Sequence, residues 1–304
     1  MVNEFDAKHT PRYLYKYFSH ERCEFLGNRD IRFTQPNALN DPFEFRPHIS
    51  SFGDASELWE IAHQNAIKHA EKNFTDNPQK YPKLNFDQFL LLNKQKIERM
   101  TQDALKQLSP DINKMMGEAI RNYADKNLGI LSLSAKSDNL LMWSHYCASH
   151  HGFVVEFDAE TKFFNQQDLV SLNMDKPTRI QDEYGLVRQV NYSNERPSIV
   201  VTKELNLSNF LIKGDAWSYE EEFRMLMPLG LGHHLKDRLD NGGNQVWVFE
   251  VPPESIARII LGHYASQELI DLALIMRNSL GHDNIKIQRA ELDHREYKLK
   301  FIDL

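Results

Sequence analysis

Apolar and polar residues alternate in short runs over much of the chain, and one long stretch of helical period interrupts them. "RYLYKYF" (12–18) is aromatic and β-prone, and "DIRFTQP" (30–36) reads as a second strand stopped by Pro36. "NALNDPFEF" (37–45) is punctuated by Asn and Pro, which predicts a shaped loop. From 54 to 127 the texture changes. "ASELWEIAHQNAIKHAEKN", "NFDQFLLLNKQKIERMTQDALKQL" and "DINKMMGEAIRNYADKN" place apolar residues at helical spacing. Asn85 is an expected N-cap, and so is Ser109, with Pro110 at the first helical position. The segment reads as a helical insertion or subdomain at 54–127 within a single α+β domain over 1–304.

Mixed patterning follows. "GILSLS" (129–134), "FVVEFD" (153–158), "LVRQVNYS" (186–193), "QVWVFEV" (245–251) and "SIARIILG" (255–262) read as strands. "DNGG" (240–243) is a turn signal. Helices are expected at 138–151, capped by Asp138 and stopped by Gly152, around 207–216, and at 266–280. "IKIQRAELD" and "YKLKFIDL" read as a terminal strand pair. Strands with helices inserted, and no regular βαβ alternation, define an α+β fold.

The stretch "DAWSYEEEFRML" (215–226) sets three glutamates among aromatic and apolar residues. Read as a strand over 220–228, it puts Tyr219, Glu221, Phe223 and Met225 on one face and Glu220, Glu222 and Arg224 on the other. The two carboxylates of that second face would then lie about 7 Å apart. A solvated face with a Glu222–Arg224 pair is the plain alternative, contributing at most ~1 kcal/mol.

The 304 residues are 41% apolar and 26% charged, as in an ordinary globular protein. A net charge of −7 offers no global basic surface to nucleic acid. Cys23 and Cys147 form no framework, which suits a reducing cytoplasm. The N-terminus "MVNEFDAKHTPRYLYKYF" carries early charges and no long apolar run, so neither a signal peptide nor membrane association is expected. The reading is a cytoplasmic protein.

Several pieces have chemistry to offer. "GILSLS" turns Ser132 and Ser134 to one face, where two hydroxyls can orient a sugar or a carboxylate. "LMWSHYCASHHG" brings Trp143, His145 and Tyr146 onto one short helix. Its histidines at 145, 150 and 151 lack the i,i+3 or i,i+4 spacing of helical metal ligands, so no metal is expected there. "LNDPFEF" offers Asn40, Asp41 and Glu44 as a polar loop wall, although Asn-Asp-Pro is also plain turn chemistry. No G-x-G-x-x-G, G-x-x-x-x-G-K-[ST] or G-x-S-x-G occurs, which argues against Rossmann, P-loop and α/β-hydrolase chemistry.

Taken together, "LYKY", "LNDPFE", "SLS" with "LMWSHYCASHHG", and the set Lys213, Trp217, Tyr219, Glu220, Glu222 and Arg224 resemble a bacterial family defined only as a domain of unknown function. The resemblance runs over nearly the whole chain and is loosest at 54–127. The order of aromatic strand, serine strand and Glu-x-Glu strand also resembles the ADP-ribosyltransferase superfamily. That likeness implies a mixed, mainly antiparallel β core with flanking helices. It also implies NAD as substrate, with ADP-ribose passed to a macromolecule (protein or nucleic acid) or to water, and a possible setting in a toxin or phage-defence effector. Glu222 would stabilise an oxocarbenium-like transition state. Glu220 would position or deprotonate the acceptor, and Ser132 or Ser134 would brace Glu222. Tyr15 and Lys16 would occupy the first-strand position, where the superfamily has Arg or His. Trp143, His145, Tyr146 and Arg224 would complete the NAD site. Two other classes stay open on the residues alone. One is a phosphodiesterase or nuclease holding Mg²⁺ or Mn²⁺ on Asp41, Glu44, Glu220 and Glu222. The other is a non-catalytic module binding a nucleotide or peptide.

Overall fold

The computed structural model describes residues 10–51, 53–166, 184–201, 206–279 and 285–304; the N-terminal residues 1–9, part of the leader reading above, lie outside them. Their strands, in chain order, begin with β1 (Tyr13–Phe18), β2 (Asp30–Arg32), β3 (His48–Ser51), β4 (Leu128–Ser134) and β5 (Phe153–Asp158). Next come β6 (Val187–Gln189), β7 (Asn191–Ser193), β8 (Ser198–Val200), β9 (Ile212–Gly214) and β10 (Glu222–Pro228). The last are β11 (His233–Leu239), β12 (Gln245–Glu250), β13 (Ile256–Leu261), β14 (Lys286–Leu292) and β15 (Leu299–Asp303).

The chain divides into two compact units, one of Met1–Phe45, Tyr123–Arg196 and Asn206–Leu304, the other of Arg46–Asn122 and Pro197–Leu205. The second unit holds the helices Ala55–Asp76 and Phe86–Leu92, most of the helix Lys94–Asn127, and the parallel pair β3–β8. It therefore draws on two separate segments rather than on the 54–127 stretch alone. Asp54 and Asn85 each close a capping box at a helix start. Ser109 is not a cap, because the third helix runs unbroken past it and Pro110. Long helix-favouring sequence on both sides outweighs the ~3 kcal/mol that an interior proline costs. Phe89, Ile97, Ala66 and Ala70 form this unit's core.

The first unit is built on an eight-stranded sheet of order β15-β14-β13-β5-β1-β4-β10-β6. All neighbours are antiparallel except β13 and β14, which are parallel. The helix Gln267–Ser279 makes the crossover that a parallel pair requires. The fold is thus α+β with a mainly antiparallel sheet. Side-chain alternation gives the sheet two buried faces. Leu14, Phe18, Leu131, Leu133, Phe223 and Met225 fill one, and Tyr17, Trp143, Val154 and Ile260 anchor the other. β1 lies along β5 from Tyr13↔Asp158 to Phe18↔Phe153, and β4 lies along β10 from Ser134↔Glu222 to Leu128↔Pro228. Between these two ladders, β1 and β4 pair only at Tyr15↔Ser134. None of the described helices is long and apolar enough to cross a membrane.

Three expectations around the site need correction. The strand read at 220–228 begins at Glu222, because Asp215–Glu220 is a 3-10 turn that ends in a left-handed Glu221 (φ 42°). The helix read at 207–216 is a 3-10 turn, Leu207–Phe210, followed by β9 and the start of the next turn. The helix read at 138–151 spans only Leu140–Tyr146, and its cap is Asn139, whose Oδ1 accepts from the amides of Leu141 and Met142. Ala148, Ser149 and His150 all have positive φ, and the amides of Ser149, His150 and Gly152 turn back to the carbonyls of Ser144, Trp143 and Cys147 at the helix end. Gly152 serves a different need. A Cβ there would meet the Phe18 carbonyl oxygen at 2.0 Å, so the residue after the turn must be glycine for the chain to pass β1.

Candidate functional site

Sheet register assembles the site. Ser134 stands opposite both Tyr15 and Glu222, and Ser132 opposite Arg224. One sheet face therefore carries two hydroxyls, a carboxylate and a guanidinium, as the alternation of "GILSLS" and "EFRML" requires. This face borders a cavity of about 250 Å³. Tyr15, Lys16 and Tyr17 of β1 line it, with Ser132 and Ser134 of β4 and Glu222 and Arg224 of β10. Asn40 and Glu44 enter from the "LNDPFEF" loop, Tyr146 from the short helix, Lys213 from β9 and Glu220 from the 3-10 turn. Such a volume falls below the roughly 300–1,000 Å³ of pockets that enclose a drug-sized ligand. It admits part of a dinucleotide at most.

The solvated-face alternative is overturned. Glu222 and Arg224 are 3% and 1% exposed, at the centre of a buried ionic cluster. Arg224 forks onto Glu222, with Nε to Oε1 at 2.7 Å and Nη2 to Oε2 at 2.9 Å. Its Nη2 also donates to Glu44, and its Nη1 to the Phe210 carbonyl at 3.3 Å. Lys213 Nζ lies 2.5 Å from Glu220, 3.0 Å from Glu222 and 3.1 Å from Glu44. Glu220 also accepts from Tyr146 Oη at 2.6 Å, and Asn40 donates to that phenol at 3.0 Å. The left-handed Glu221 makes this possible. It breaks the strand so that Glu220 and Glu222 both reach Lys213, while Glu221 itself is exposed beside Lys136.

Protonation follows from these contacts. Burial alone would raise the Glu222 carboxyl, but Arg224, Lys213 and a hydrogen bond from Ser132 outweigh it and hold it near about 2. Glu44 goes the other way, since burial raises it more than Arg224 and Lys213 lower it. Burial would lower Lys213, yet Glu222, Glu44 and Glu220 together raise it. Lys16 has no such company. Burial dominates and brings its ammonium down to about 8, against weaker opposing pulls from Glu222 and Glu220. Its Nζ donates to the Ser132 carbonyl at 2.9 Å.

Three of the residues proposed from sequence do not line the cavity. Trp143 is fully buried in the core and donates to the Ser137 carbonyl at 2.8 Å. His145 faces solvent on the outer side of its helix. Asp41 caps its own loop, accepting from the Phe43 amide at 2.9 Å. Three of the four carboxylates that the metal alternative needs, Glu44, Glu220 and Glu222, do converge, but on the Lys213 ammonium, which fills the place a cation would take. Among the described residues no group of three or more metal-ligating side chains is arranged to hold an ion. The sequence reading names Lys213 only within the family motif and gives it no role at the site. Its signal was the Lys-x-x-x-Trp-x-Tyr-Glu-x-Glu-x-Arg spacing, and its position as a lone cation after the apolar Leu211 and Ile212.

Residues 142–225 match the family model described as protein of unknown function (DUF2971), so the chain carries a DUF2971 domain there. The matched stretch takes in most of the short helix, Lys213 and the Glu-x-Glu-x-Arg run, while "LYKY" and "LNDPFE" lie outside it. No curated protein and no solved structure matches the chain.

Proposed function

We propose that the cavity is the reaction site of an ADP-ribosyltransferase-like enzyme that cleaves the nicotinamide–ribose bond of NAD and passes ADP-ribose to a macromolecule or to water. The supporting observation is the row Tyr15, Ser134 and Glu222, set side by side on three adjacent strands beside one cavity. Cleavage leaves positive charge on the ribose, and preorganised negative charge lowers that barrier. The cluster sets three acidic side chains, Glu44, Glu220 and Glu222, against two basic ones, Lys213 and Arg224. Glu222 is committed to Arg224, Lys213 and Ser132, so its part is to hold its negative charge in place. Glu220 makes one contact per oxygen, with Lys213 and Tyr146, and keeps acceptor capacity for a ribose hydroxyl. Lys16 offers its remaining N–H groups to an oxygen of the ligand. The nicotinamide and ribose occupy the cavity, and the adenosine half stays outside it.

The test is purified protein with NAD, with released nicotinamide measured for wild type, Glu220→Gln and Glu222→Gln. Each substitution keeps size and removes charge. A loss of ~10²–10³-fold in turnover is expected for Glu220→Gln, with a smaller effect on NAD affinity. Wild-type protein that releases no nicotinamide, with and without protein or nucleic-acid acceptors, would remove this reading and favour a binding module.

A further inference from the structure

Two lysines line the cavity, and their surroundings differ. Lys213 lies within 3.1 Å of three carboxylates and donates to Glu220 and Glu222, so its proton is held tightly. Lys16 stands apart from that arrangement. Its Nζ meets a main-chain carbonyl, that of Ser132, and among the described residues no carboxylate lies within ion-pair distance of it. It lines the cavity beside the seam where β1 and β4 meet in a single pair. A lysine that is half-buried, without a carboxylate partner and lining a cavity is placed to act as a nucleophile.

We infer that Lys16 condenses with a small aldehyde held in the cavity, forming a reversible imine. In this step the Nζ lone pair attacks the carbonyl carbon and a C=N bond replaces C=O. The oxygen leaves as water with both amine hydrogens, and nothing is oxidised or reduced. Tyr146, which donates to Glu220, borders the same space and is placed to pass protons during loss of water. A cavity of about 250 Å³ limits the partner to a small carbonyl compound. Glu222, held ionised by Arg224 and Lys213, favours the protonated, cationic imine. The inference does not depend on NAD, and its test uses none.

The experiment is reductive trapping on the full chain. Wild-type protein is treated with acetaldehyde and cyanoborohydride, digested, and each lysine's adduct quantified over time by mass spectrometry. At about pH 7.5 an amine of pKa near 8 has roughly 10² times the neutral fraction of an ordinary lysine. Limited access offsets part of this, so Lys16 should react more than about tenfold faster than Lys213 or the exposed Lys136 and Lys300. Its rate should level off above pH 8, and its advantage should vanish in urea. Lys16→Arg, which keeps the cation but cannot form the imine, should lose only that adduct. Lys16 modified no faster than the exposed lysines in folded wild-type protein would overturn the inference, and so would an advantage that survives in urea.

Discussion

Replacing Arg224 by Leu isolates what the buried cluster contributes. Arg224 is 1% exposed and donates to Glu222 twice, to Glu44 and to the Phe210 carbonyl. Its guanidinium also lies 5.6 Å from the centre of the Phe45 ring. Arg224→Leu leaves three buried carboxylates facing Lys213 as their one remaining partner within the cluster. Removing one member of a buried pair costs ~3–5 kcal/mol, chiefly because the other charge stays buried without compensation. Leucine recovers a little through apolar contact, so a net loss of about 3–4 kcal/mol is expected. In urea that should move the midpoint down by on the order of 1–2 M. Three of the four tryptophans, Trp143, Trp217 and Trp247, belong to the sheet unit and Trp59 to the other, so fluorescence is weighted toward the relevant transition. The decisive variant is the double substitution Glu222→Leu with Arg224→Leu. It removes both charges together and should be more stable than the sum of the single losses implies, by at least about 2 kcal/mol. Strictly additive losses, or a single loss below about 1 kcal/mol, would refute the claim that this pair is mutually dependent.

Acid should act through the same cluster. Glu222 sits at about 2 when folded, below its ordinary value, so its stabilisation is present above about pH 4.5 and is lost as pH falls toward 2. Glu44, raised by burial, works in the opposite sense and gains a proton more readily folded than unfolded. An acid titration followed by circular dichroism should therefore show a late step below about pH 4, absent in Glu222→Gln. Gly152→Ala would drive a Cβ to 2.0 Å from the Phe18 oxygen, and calorimetry should show a loss of about 3 kcal/mol or more. Asn139→Ala removes a cap for two amides and a 2.6 Å bond to the Tyr219 carbonyl, which should cost roughly 1–2 kcal/mol in denaturant unfolding.

Much of the sheet was legible because period-two patterning survives where one face meets the core and the other meets polar groups. "GILSLS" and "FRMLM" show this directly, and the alternation correctly set Ser132 and Ser134 against Leu131 and Leu133. The stretch before β10 was not legible. "SYEEEF" alternates well enough for a strand, but tertiary pairing decides the matter. Lys213 draws in both Glu220 and Glu222, and only a left-handed Glu221 lets them converge. A local pattern carries no sign of a cation seven residues upstream. Helix ends failed for a similar reason. Asp138 and Asn139 are equally good caps in isolation, and contact with the Tyr219 carbonyl favours Asn139. At the site, the residues on strands could be placed from alternation, whereas Trp143 and His145 depend on which side of a seven-residue helix meets the sheet.

The single pairing of β1 with β4 makes the sheet resemble two plates joined by one rivet. Five strands, from β15 to β1, lie on one side of it and three on the other. Shear between the plates is resisted by the Tyr15↔Ser134 pair and the Lys16 reach to the Ser132 carbonyl, where other neighbours share a full ladder. The cavity opens at that joint. An occupant would touch β1 on one side of the joint and β4 and β10 on the other, and so would bridge the two plates.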